Sequence, residues 1–148
     1  MENRVVVSLA LGLSVAASTL CKAGDLAGCY ELTLSQWEPA ISLGEDAMFI
    51  SPPARIELTK TPDHSWDEHG LKVTPARGVS PSIHNSSYWR DDGHRLHIVW
   101  TTGFSGLTMD LQVRGSSLEG EAHTFWDFPR PRQTSHVIAM KIACESKT

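Results

Sequence analysis

From Cys29 onward, apolar and polar residues exchange places at nearly every step, and this period of two constrains the fold more than any other feature. Leu107, Met109, Leu111 and Val113 alternate with Thr108, Asp110, Gln112 and Arg114. Tyr30, Leu32 and Leu34 alternate with Glu31, Thr33 and Ser35. Such a pattern belongs to strands with one buried and one wet face. It predicts eight strands, at approximately 29–35, 54–60, 70–74, 86–90, 95–101, 107–114, 117–126 and 135–143. Asp92-Gly93 and Gly115-Ser116 have the composition of two-residue hairpin turns. Leu43–Ile50 could wind into a turn or two of helix, and no other segment after the N-terminus carries a helical repeat. Eight consecutive antiparallel strands close most simply into an up-and-down barrel, which leaves no open edge. A β-sandwich is the alternative.

The chain of 148 residues, 41% of them hydrophobic, is sized for one domain, expected at 24–148. A net charge of -4 excludes the basic footprint of a general nucleic-acid binder. No stretch downstream of the N-terminus approaches the ~20 apolar residues of a membrane span, so no transmembrane segment is expected in the mature chain. Met1–Ala23 reads as a secretory signal: Arg4, then the apolar run Val5–Ala17, then small residues ending at Ala23. Cleavage there starts the mature protein at Gly24, in the periplasm or outside the cell. Cleavage after Ala17 or Ser18 is a variant, and a lipoprotein anchored through Cys21 is the alternative. Removal of the signal leaves Cys29 and Cys144, and an even pair in an oxidising compartment predicts a disulfide.

That bridge bears on the facing of the last strand. With Val137, Ala139 and Lys141 inside, Cys29 and Cys144 both point outward, and Ile138, Met140 and Ile142 form an outer apolar stripe. The opposite facing buries the stripe but separates the cysteines unless a bulge intervenes. The first arrangement is preferred, and its stripe would suit a partner or a second copy.

Loop lengths give the barrel a polarity. The connections Gln36–Pro53, Pro75–Asn85, Thr102–Gly106 and Asp127–Thr134 emerge at one end. The turns at Gly93 and Gly115 and the polar loop Thr61–His69 close the other. Aromatic and basic residues gather at the long-loop end: Trp37, Phe49, Phe104, Phe128, Arg130 and Arg132, with Trp126 beside them. They either receive a ligand or plug the end as a second small core. Along the seventh strand the inward positions are Leu118, Gly120, Ala122, Thr124 and Trp126, small in the middle. That leaves either a cavity or room for a large neighbour, of which Trp100 is the obvious one.

Gly28-Cys29-Tyr30 at the start of the first strand resembles the Gly-x-Trp opening of lipocalins, with Tyr30 in place of the tryptophan. The resemblance implies an eight-stranded barrel with a lid after strand one, at Gln36–Pro53, and a late basic residue against the aromatic, for which Lys141 is the candidate. The runs from Val99-Trp100 to Gly106-Leu107 and from Thr124-Phe125 to Pro129-Arg130 also resemble a group of uncharacterised exported bacterial proteins, a likeness that implies no activity.

Candidate chemistry is sparse. A two-residue turn at Gly115-Ser116 sets Arg114 against Ser117, Gln112 against Glu119, Asp110 against Glu121 and Thr108 against His123. Two facing carboxylates call for compensation, by His123 on the diagonal or by a divalent cation; a solvated outer face is the simpler reading. His94 and His97 lie three apart on a strand and so point to opposite faces. Asp63, His64, Asp67, Glu68 and His69 share one loop, without the spacing of a known metal site, and read as a hydrated turn. No nucleophile elbow, zinc helix or phosphate loop occurs. The expectation is therefore a non-catalytic barrel with no cofactor and no metal. It would bind a small apolar or amphipathic molecule at its aromatic end, with Trp37 as lid anchor. Trp100 and Trp126 would wall the cavity with Phe104 and Phe128 beside them, while Arg130 and Arg132 meet an anionic head group. The alternative is a protein-binding or inhibitor module with a filled barrel, and an enzyme is a third reading.

Overall fold

A computed structural model describes residues 26–40, 52–64, 67–76, 87–93, 95–127 and 129–145. The expected signal at 1–23, with Cys21, lies outside these residues, as do most of the expected lid with Phe49, the tip of the loop after Pro75, and His94 and Phe128. The chain forms eight strands: β1 (Gly28–Leu34), β2 (Arg55–Pro62), β3 (Leu71–Pro75), β4 (Tyr88–Asp91), β5 (Leu96–Thr101), β6 (Ser105–Arg114), β7 (Ser117–Trp126) and β8 (Thr134–Ile142). Each pairs antiparallel with the next, and β1 pairs with β8, closing an up-and-down barrel. No helix among the described residues is long and apolar enough to cross a membrane.

The alternation translates directly into inside and outside. Ile56, Leu58, Leu96, Ile98, Trp100, Leu107, Met109, Leu111 and Val137 are all almost fully buried and form one cluster with Tyr30, Trp89 and Ala122. At the turn end, the Tyr30 hydroxyl donates to the Leu26 carbonyl at 2.8 Å, and the Lys141 ammonium stands 5.9 Å from the centre of the Tyr30 ring.

Two glycines stand where a side chain would not fit. A Cβ on Gly120 would overlap the Asp110 carbonyl oxygen across the β6–β7 ladder, and one on Gly106 would overlap the Trp100 carbonyl. Only a residue without a side chain tolerates such approach, so both are places where neighbouring strands come unusually close.

The seam between β1 and β8 carries the disulfide. Cys29 pairs in register with Ile142, and its sulfur is bonded to that of Cys144, with 5.2 Å between the Cα atoms. Val137 and Ala139 face inward, as the outward cysteines require. The outer stripe of Ile138, Met140 and Ile142 is present, but Ile138 and Ile142 are half-buried and only Met140 is exposed.

One connection departs from expectation. Residues 102–106 are not a long loop, because β6 begins at Ser105 and only Thr102, Gly103 and Phe104 turn the chain. Thr101 Oγ1 donates to the Ser105 carbonyl at 2.9 Å and accepts from the Gly103 amide at 2.8 Å, while Gly103 supplies the positive φ of +97°. These local bonds tighten the turn.

The loop between β2 and β3 is tied internally. The Asp63 amide donates to the Gly70 carbonyl, His64 Nδ1 lies 2.9 Å from the Glu68 carbonyl, and Asp67 bridges outward to Arg90 of β4 at 2.8 Å. The His69 amide, hydrogen-bonded to Asp67 Oδ1, holds the Asp67 carboxyl below its ordinary value of 3.8, with the Arg90 charge as a further cause. A carboxyl depressed in the folded state contributes stability that is complete above the unfolded pKa and lost as pH falls through the folded one. The urea midpoint of Asp67→Asn should therefore lie below that of the wild type at neutral pH. The gap should close as the pH is taken below 3.8. A gap constant across this range would show that Asp67 acts by packing alone.

Candidate functional site

Two regions of the barrel concentrate functional groups: the rim at the long-loop end and the outer face of β5–β8. The rim rests on a layer of inward-facing polar residues. Ser87, Ser105, Thr124, Gln133 and Ser135 are all buried. Thr124 Oγ1 donates to Gln133 Oε1 at 2.6 Å and accepts from the Gln133 amide at 3.0 Å. Ser135 Oγ donates to the Ser35 carbonyl at 2.9 Å, and Ser87 Oγ accepts from the Thr101 amide at 3.2 Å. Buried hydroxyls engaged in this way seal the apolar core from the rim above it. Inward parity alone identifies Ser105, Thr124 and Ser135, although sequence reading singled out only Thr124 among them.

The aromatic residues expected at this end have three different fates. Trp100, expected on a cavity wall, is fully buried within the core cluster. The small residues of β7 thus belong to a core that contains a large ring. Trp37 is half-buried against that cluster, on a segment held to β8 by reciprocal backbone bonds between Glu38 and Thr134 at 2.8 and 2.9 Å. Phe104 is 71% exposed at the tip of the β5–β6 turn. Its carbonyl accepts from the Asp127 amide at 2.9 Å, which fixes the turn to the end of β7. Trp126, half-buried, lies directly opposite Ser105, and the Arg130 guanidinium stands over its ring, 5.0 Å from the centroid. Such stacking orients an arginine against the ring. Arg132 is exposed nearby in sequence, on the same approach to β8.

The outer face carries a groove of about 410 Å³ between β5 and β8, lined by Arg95 and Arg114 toward the turns and by Asp110, Glu121, His123 and His136 further up. The hairpin register is the one expected, with Asp110 opposite Glu121 and Thr108 opposite His123. His97, which the sequence reading set aside, faces Asp110 from β5 and places Nδ1 2.8 Å from Asp110 Oδ1. His123 Nε2 lies 3.6 Å from Glu121 Oε2, and its Nδ1 lies 3.1 Å from Thr134 Oγ1. The two facing carboxylates thus each have an imidazole alongside. Among the described residues, the one group of three or more cysteine, histidine or acidic side chains with its donor atoms already gathered is Cys29, Glu57 and Cys144, whose sulfurs are joined to each other.

No family model, no curated protein and no solved structure matches this chain.

Proposed function

We propose that the protein is an exported binding module that docks a protein partner on its loop-rich rim, with the filled barrel as a rigid scaffold. The observation that carries this reading is Phe104, 71% exposed on a turn pinned from both sides and standing beside the Arg130–Trp126 stack. An exposed aromatic next to an oriented arginine has the composition of an interface anchor. The core beneath supports the rim over the interior. A small ligand usually needs most of its surface enclosed, and here the inward positions are taken by Trp100, Met109 and their neighbours. Export is supported by the disulfide, which persists in oxidising compartments.

The preferred partner surface combines an apolar side chain for Phe104 with a carboxylate for Arg130 or Arg132. A photo-crosslinking residue at position 104, introduced into the full chain in an exporting bacterial host, tests this. A discrete protein adduct is expected at 104, reduced several-fold by Arg130→Ala and absent when the same group is placed at Lys72. If no adduct forms and the purified protein carries lipid or saturably binds dodecanoate, the amphipathic-ligand reading replaces this one. Trp37, Trp126, Arg130 and Arg132 would then be its contacts.

A further inference from the structure

One row of side chains crosses four strands of the outer face. His97 lies opposite Asp110, Asp110 opposite Glu121, and Glu121 opposite His136. Two residues further along β7, His123 shares the face of Glu121 and stands diagonally from His136. Facing side chains on neighbouring strands have Cβ atoms about 4.5–5.5 Å apart, within reach of a common ion. The geometry points to a zinc-type divalent transition-metal site formed by Glu121, His123 and His136.

Three features of the row support it. The first is a histidine with both ring nitrogens placed: His123 Nδ1 lies 3.1 Å from Thr134 Oγ1, and Nε2 faces Glu121. A second partner on the far ring nitrogen is the usual support of a metal-binding histidine. The second is charge. Asp110 is already engaged by His97 at 2.8 Å, and Glu121 faces it as a like charge that a cation would offset. The groove's two arginines do not supply that cation at close range. Neither Arg95 nor Arg114 is opposite Glu121, and the Arg114 guanidinium is turned to Gln112 Oε1 at 3.3 Å. The third is access. Glu121 and His136 are exposed and His123 is partly so, and all three line the groove. Their donor atoms are not drawn together as they stand, so binding would turn these outward side chains toward one another.

Two imidazoles and one carboxylate suit zinc or copper and disfavour magnesium and calcium, which prefer all-oxygen sets. Three protein donors leave a fourth tetrahedral position to water or to a side chain from another molecule.

Isothermal titration of the tag-free, disulfide-bonded protein with Zn²⁺ tests the assignment, with Mg²⁺ and Ca²⁺ as comparisons. One Zn²⁺ per chain is expected, with Mg²⁺ and Ca²⁺ at least ~10-fold weaker. His123→Gln and His136→Gln should each weaken Zn²⁺ by ~10-fold or more, and so should Glu121→Gln, whose exposed position spares the fold. A His64→Ala, His69→Ala double variant removes the histidines of the β2–β3 loop and should titrate like the wild type. The site is overturned if Zn²⁺ gives no saturable heat, if the three groove variants bind as the wild type does, or if binding disappears with the loop pair.

Discussion

Cys144→Ser is expected to cost the folded protein about 2–5 kcal/mol, the range for removing a native disulfide from a small exported domain. The bridge joins residues separated by 115 positions, and the chain-entropy account gives roughly 4.7 kcal/mol for a loop of about that length. The bond also spans the one pairing in the barrel whose two strands come from opposite ends of the chain, β1 with β8. Every other strand pair is tethered by a connecting loop, whereas this one loses its covalent restraint completely when the sulfur is removed. Urea unfolding of oxidised wild type, Cys144→Ser and the Cys29→Ser, Cys144→Ser double variant measures the effect. The double variant should resemble the single one. A loss below about 1 kcal/mol would mean that the seam holds by its hydrogen bonds and by Tyr30, Leu32, Val137 and Ala139 without help from the cysteines.

Gly120→Ala should cost about 3 kcal/mol or prevent folding, because the new methyl group has no direction in which to relax. The obstacle is backbone: the Asp110 carbonyl and the Leu111 Cα, part of the neighbouring strand β6. Gly106→Ala meets the Trp100 carbonyl and should behave alike. Gly115→Ala is the informative contrast. Nothing lies within 4 Å of its Cβ, yet its φ is +60°, so it should lose only the ~1–2 kcal/mol of a left-handed residue. Chemical denaturation of the three variants should rank them with Gly115→Ala mildest. Equal losses would assign the cost at Gly120 and Gly106 to chain entropy rather than to close approach.

The architecture was legible because alternation and the glycine turns are local signals, although Asp92-Gly93 is not the two-residue turn expected, since Asp91 pairs with Leu96. The β6–β7 register followed from Gly115-Ser116 alone, pair by pair from Arg114–Ser117 back to Thr108–His123. The β5–β6 register did not, since it depends on a turn built from Thr101, Thr102 and Ser105 hydroxyls rather than from a recognisable dipeptide. With that turn read as a five-residue loop, His97 could not be set against Asp110, and that end of the outer row stayed hidden. His136 was missed for another reason: the preferred facing of β8 turns it outward, but its partner on β7 depends on the register across the loop after Trp126, which carries no turn signal. Volume placed Trp100. Alternation says that a residue points inward, but only packing says whether it meets space or neighbours.

The barrel's pairings are far from uniform around its circumference. The β6–β7 ladder holds ten residue pairs, whereas β3 and β4 share two, Leu71 with Trp89 and Lys72 with Tyr88. A covalent clasp at the β1–β8 seam means that the cylinder cannot split where its ends meet. Native-state breathing is therefore expected first at the thin β3–β4 wall, where amide protons should exchange with solvent through excursions much smaller than global unfolding. The rim turn at Phe104 and the histidine row belong instead to the long β5–β8 ladders, which should be the last part of the wall to open.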